Sequence, residues 1–159
     1  MVIVGSAIIA VLLDEANAAG IARAIEASSQ RLLSAANLLE ASIVIESRKG
    51  EAGGRELDLL IYRAAIEIVA VDQDQAELAR IARRRFGKGR HPAGLNYGDC
   101  FAYALAKTRQ LPLLTTSLEP TSTLFRGRGR QRDRNPGRAD RILRSMRLVD
   151  CRDPSVKLR

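Results

Sequence analysis

The chain has 159 residues, 46% of them hydrophobic and 28% charged, with no Trp and few other aromatics. That is one domain's worth of chain, long enough to bury a core of Ala, Leu, Ile and Val without disulfides to hold it together. The net charge of +8 would ordinarily suggest nucleic acid, but residues 1–125 carry 14 Lys or Arg against 14 Asp or Glu, while residues 126–159 carry 12 against 4. The basicity therefore belongs to the tail and says nothing about the globular part.

At the N-terminus, the apolar run from Val2 to Leu13 is too short to span a membrane. It lacks basic residues ahead of it and ends in Asp14-Glu15, unlike a signal peptide. Val2-Ile3-Val4 reads as a buried strand, Gly5-Ser6 as a turn, and Ala7 to Leu13 as a helix. A second helix covers Ala18 to Ala27 and a weak strand covers Arg31 to Ser34. From Ala35 to Arg48 the three- and four-residue spacing predicts a helix with Leu39 and Ile43 on its buried face and Glu40 near its start. Lys49-Gly50 stops that helix, and another follows from Arg55 to Ile66.

Glu67 to Val71 reads as a third strand and Asp72 to Phe86 as a helix capped by Asp72. The loop Gly87 to Gly94, dense in glycine and base, is open to two readings: a guide for a phosphate backbone or a solvated connection. His91, the only histidine, lacks metal-ligand spacing and fits a loop residue better than a ligand.

Leu95 to Ala106 opens polar and turns into a run of small and apolar helix formers, with Asp99 in its first turn. A carboxylate there either caps the helix together with Asn96 or meets a cation in the preceding loop. Leu111 to Leu114 is the fourth strand. Periodicity then fails; residues 126–137 are low-complexity and basic, which predicts disorder over the tail 126–159, apart from a short basic helix over Ile142 to Val149. The expected organisation is a domain over 1–125 followed by that tail. Alternating strands and helices argue an α/β sandwich with a mainly parallel central sheet of about four strands. Two cysteines without a spacing motif, Cys100 and Cys151, point to a reducing, cytoplasmic setting.

In a parallel sheet, positions just past strand ends converge on one edge, so Glu40 and Asp99 can meet although far apart in sequence. Two carboxylates in one cleft are stabilised by a divalent ion, and oxygen ligands favour Mg2+ or Mn2+. Such a site suits hydrolysis of a phosphodiester.

Three segments carry a family likeness: Met1 to Val4 with Ser6 to Ala10, Leu33 to Ala41, and Leu95 to Tyr103. Together they resemble the PIN-domain ribonucleases of the VapC toxin family, over residues 1 to about 114. The resemblance implies a PIN-like α/β/α sandwich and a Mg2+-dependent endoribonuclease toxin, with Mn2+ as a second candidate ion. It also implies an RNA substrate, a VapB-like antitoxin, a homodimer and no membrane. Glu40 and Asp99 correspond to the second and third of the family's four acids, with Asp99 a direct metal ligand.

Two departures mark this chain. The family has an Asp before the Ser that follows strand one, whereas here Gly5-Ser6-Ala7 is one residue shorter and has no carboxylate. The fourth acid belongs to a Thr-Asp-Ile pattern after strand four, where Thr115 to Phe125 offers only Glu119. These losses predict weakened catalysis, and the alternative is an inactive PIN-like module that binds an antitoxin or nucleic acid. Codons permitted for Glu119 to Thr123, read out of phase, spell an acidic continuation of the family type, so the Arg-rich tail is also readable as out-of-frame translation.

Overall fold

The computed structural model describes residues 1–116 and, for its backbone, Leu148–Val149. Strand β1 (Val2–Ile3) runs into helix α1 (Gly5–Leu12), which is followed by α2 (Ala18–Glu26), β2 (Leu32–Ser34) and the long α3 (Ala35–Arg63). Then come β3 (Glu67–Val69), α4 (Gln73–Phe86), α5 (Tyr97–Arg109), β4 (Leu113–Leu114) and β5 (Leu148–Val149).

The sheet order is β3-β2-β1-β4-β5. Its first four strands are parallel, as alternating strand and helix required, and β5 pairs antiparallel with β4 through Leu113↔Val149 and Leu114↔Leu148. Those two residues are strand where the basic helix over Ile142 to Val149 was expected. The rest of that helix, the limit at residue 125 and the expected disorder of 126–159 lie outside the described residues.

Strands β1 and β2 are buried throughout because helices pack over them, which explains their unbroken apolar runs. One core joins Val2, Ile3, Ile8, Ile21, Leu32, Leu33, Leu57 and Leu105; a second joins Leu78, Ala82, Cys100 and Tyr103 between α4 and α5. Arg31 ties the layers at the far edge: its guanidinium donates to the carbonyls of Ile25 and Glu26 near the end of α2 and of Ala64 at the end of α3.

Two expectations about α3 are corrected. The helix does not stop at Lys49-Gly50 but resumes directly, with Gly50 alone non-helical at φ 61°, ψ −158°. A left-handed φ of this kind is cheap only for glycine, so Gly50 absorbs the break and lets two helical segments follow without a loop. The buried face is Asn37, Ala41 and Ile45, whereas Leu39 is 63% and Ile43 61% exposed. The same spacing admits both stripes. The core took the one that places small Ala41 and polar Asn37 against the sheet.

Candidate active site

Three strand ends define the site. β1 passes through Val4 into Gly5 and Ser6, β2 passes directly into α3, and β4 passes into Thr115 and Thr116. Since β1 lies between β2 and β4, its carboxyl end sits where successive connections leave on opposite sides, the usual position of a ligand crevice in a parallel sheet. Thr116 Oγ1 and Ser6 Oγ hydrogen-bond across it at 3.2 Å.

Glu40 projects from the second turn of α3 and Asp99 from the first turn of α5. The fold brings them together: Asp99's negative charge raises the pKa of the Glu40 carboxyl. Burial is the larger cause of that rise, and the Gly98 N–H, which donates to the carboxylate, opposes it. Asp99 is also held above the usual Asp value by burial, against the opposing N–H of Asn96.

Asp99 has the structural job that its position suggested. Asn96 Oδ1 accepts from the Asp99 N–H at 2.8 Å, and Asp99 Oδ2 accepts from the Asn96 N–H at 3.0 Å, a reciprocal capping box. This fixes the carboxylate's orientation and occupies one of its oxygens, leaving Oδ1 for another partner. Capping and metal ligation are therefore compatible here.

Reasoning from the sequence missed two participants. Asn37, one turn before Glu40, is fully buried, and its Oδ1 and Nδ2 have no hydrogen-bond partner. Gly98 is the other: a Cβ there would overlap Glu40 Oε2 and lie 2.7 Å from Glu40 Cδ and 2.9 Å from Asn37 Nδ2. The Leu95 to Tyr103 motif contained Gly98, but its role depends on a side chain 58 positions away.

Gly5 faces the same nook. A Cβ on it would stand 3.3 Å from Glu40 Oε2 and 3.6 Å from Asn37 Nδ2, so a side chain at this position would reach the carboxylates. Among the described residues no three His, Cys, Asp or Glu side chains converge for a metal. Glu119 lies outside the described residues. The donors present nonetheless fit a hard divalent cation. Mg2+ commonly keeps several waters and takes only one or two carboxylates, and the orphaned Asn37 amide adds an oxygen beside them.

His91 is a loop residue, as its isolation implied. Its Nδ1 accepts from the Ala93 N–H at 3.0 Å and its ring meets Phe86 edge-on at 5.4 Å. The loop itself is braced by backbone bonds between Lys88 and Leu95 and between Leu95 and Phe86.

Comparison with known proteins gives a consistent picture. The family model described as "PIN domain" matches residues 1–117. Ribonuclease VapC of Mycolicibacterium smegmatis is 59% identical over 114 residues, covering 72% of this chain and 88% of the relative. Ribonuclease VapC30 of Mycobacterium tuberculosis is 58% identical over 114 residues, covering 72% and 87%. Ribonuclease VapC28 of the same species is 49% identical over 115 residues, covering 72% and 86%.

Proposed function

Because the chain belongs to the VapC family of PIN-domain proteins, we propose that it is the toxin of a VapBC-type pair, an endoribonuclease that hydrolyses RNA phosphodiester bonds with a divalent cation, Mg2+ or Mn2+. The observation that carries this reading is the meeting of Glu40 and Asp99 at the sheet's carboxyl edge, where each carboxyl is held above its usual value. Two buried carboxylates at one edge disfavour each other's ionised forms, and a cation relieves the conflict.

In this reading Asp99 and Glu40 hold the ion through the oxygens not committed to backbone N–H groups, and the Asn37 amide lies beside them. The ion supplies positive charge at the scissile phosphate and a readily ionised water. The capping box fixes Asp99, the Gly98 N–H fixes Glu40, and the Ser6 and Thr116 hydroxyls at the crevice mouth offer hydrogen bonds to phosphate oxygens. The proposed partners are RNA, a VapB-like antitoxin and a second copy of the chain; the proposed location is the cytoplasm. The domain is taken to end near residue 125, with the basic tail following.

One experiment tests the assignment: incubate purified full-length protein with single-stranded RNA and Mg2+ or Mn2+, with EDTA and Asp99→Asn as controls. Cleavage that EDTA abolishes and Asp99→Asn lowers at least about tenfold is expected, a lower bound set by what losing even a supporting group around a metal costs. Cleavage indifferent to both would remove it.

A second reading has its own observation, the missing carboxylate at Gly5. Losing one ligand charge weakens a divalent site. An inactive module would leave RNA intact with either ion and still bind a VapB-like antitoxin.

A further inference from the structure

Beside the candidate active site, α4 and α5 enclose an open groove of about 1020 Å³ that the catalytic reading does not use. Its floor is apolar, built from residues such as Ala76, Ala79 and Leu95. Tyr97 and Phe101 form one wall, their rings edge-on with centroids 4.9 Å apart. Arg80, Arg83, Arg84 and Lys88 form the other.

These groups are not equally committed. Arg80 pairs with Glu77 at 2.6 Å, and Arg83 donates to the Lys88 carbonyl at 3.0 Å. Arg84 and Lys88 are exposed and have no side-chain partner among the described residues. Tyr97 is 68% exposed, and its contact with Phe101 fixes the ring while leaving a face open. A flat apolar surface beside unpaired cations matches the repeat of a single-stranded nucleic acid, in which each unit brings one base face and one phosphate.

Continuity with the site favours this occupant. Asn96 and Tyr97 line the groove, and Asp99 stands two residues further along the same helix start. We propose that the α4–α5 groove is a single-stranded RNA subsite, in which a base stacks on Tyr97 and the adjoining phosphates meet Arg84 and Lys88. This rests on the ribonuclease reading for its purpose: a strand lying there delivers a neighbouring phosphodiester to Glu40 and Asp99. The glycine-rich loop joins in through Lys88, so it guides phosphate instead of merely connecting two helices.

The test measures binding without hydrolysis, on the full chain. A fluorescein-labelled single-stranded RNA of about twelve nucleotides, within the span one such surface covers, is titrated by anisotropy in EDTA. Its duplex form and an acidic peptide serve as competitors, and a thiouridine-substituted version is photocrosslinked and mapped by mass spectrometry. Tyr97→Ala should weaken binding about tenfold while Tyr97→Phe stays near wild type, since stacking needs the ring and not the hydroxyl. Arg84→Gln with Lys88→Gln should flatten the salt dependence by about one unit of slope. Crosslinks should fall on the peptide around Leu95 to Phe101.

Unchanged affinity in Tyr97→Ala, crosslinks confined to residues 126–159, or Tyr97-dependent binding of the acidic peptide in place of RNA would overturn the proposal. The two readings fail separately. Tyr97-dependent binding without Mg2+-dependent cleavage sinks the ribonuclease reading and leaves the groove. Cleavage with unaltered binding and crosslinks in Tyr97→Ala does the reverse.

Discussion

Gly98 leaves vacant the volume that the Glu40 carboxylate occupies, and its N–H donates to that carboxylate. A helix start on one side of the sheet is thus shaped around an acid carried by another helix. Gly98→Ala places a methyl on Glu40 Oε2 and close to Asn37 Nδ2, so Glu40 must turn away. Displacing a reacting group by about 1 Å can cost on the order of 10²-fold in rate. A fall of about that size in metal-dependent RNA cleavage is expected, with a circular dichroism spectrum still that of a folded protein. An unchanged rate would mean that Glu40 does not act from this position.

The carboxyls also set a pH dependence. Glu40 and Asp99 both have folded pKa values above their ordinary 4.5 and 3.8, so the folded state binds protons more tightly than the unfolded chain. Their contribution to stability is greatest below the ordinary values and is lost as pH rises through the raised folded ones. In metal-free buffer Glu40→Gln should therefore raise Tm at neutral pH, with the difference shrinking on acidification. Added Mg2+ should stabilise the wild type more than the variant, since only the intact pair gains from the ion. Thermal melts across pH, with and without Mg2+, read both effects.

Gly5→Asp supplies the carboxylate that the family pattern has at this position, beside Glu40 Oε2. Without metal a third acid in the nook should lower Tm; with Mg2+ it should tighten ion binding, measurable by calorimetry, and increase cleavage. Gly5→Ala controls for the added Cβ, which at 3.3 Å demands a small shift of Glu40. Equal Mg2+ affinity in Gly5→Asp and wild type would count against the view that position 5 limits the site.

The two stripes of α3 differ sharply in what they stabilise. Ile45 is fully buried while Ile43 is 61% exposed. Ile45→Ala should cost about 2–5 kcal/mol in urea unfolding, through lost burial and the cavity left behind. Ile43→Ser should stay within about 0.5 kcal/mol, as for surface positions generally. A large loss at Ile43 would indicate that a partner copy covers it.

The shifted-frame reading of the basic tail makes a prediction about the gene. Read two bases out of phase from the codon for Glu119, it should spell Thr-Asp-Ile-Asp and continue as a protein-like sequence. A locus whose alternative frames lack that continuation removes the reading.

Local chemistry alone determined much of this protein. Alternating apolar runs and amphipathic segments forced a parallel α/β sheet, because strands with no polar face must be covered on both sides. Asn96 and Asp99, three residues apart before an apolar run, specified their capping box, since both partners and both N–H groups lie within one helical turn. Strand-end placement was enough to pair Glu40 with Asp99. What the sequence left open was orientation between elements. The spacing of α3 admits a stripe through Leu39 and Ile43 as readily as one through Asn37, Ala41 and Ile45, and only packing against the sheet and α1 selects between them. Likewise Gly98, Asn37 and the face of Tyr97 acquire their roles from atoms distant in sequence, because burial and shape arise from how elements pack and not from the order of residues within one of them.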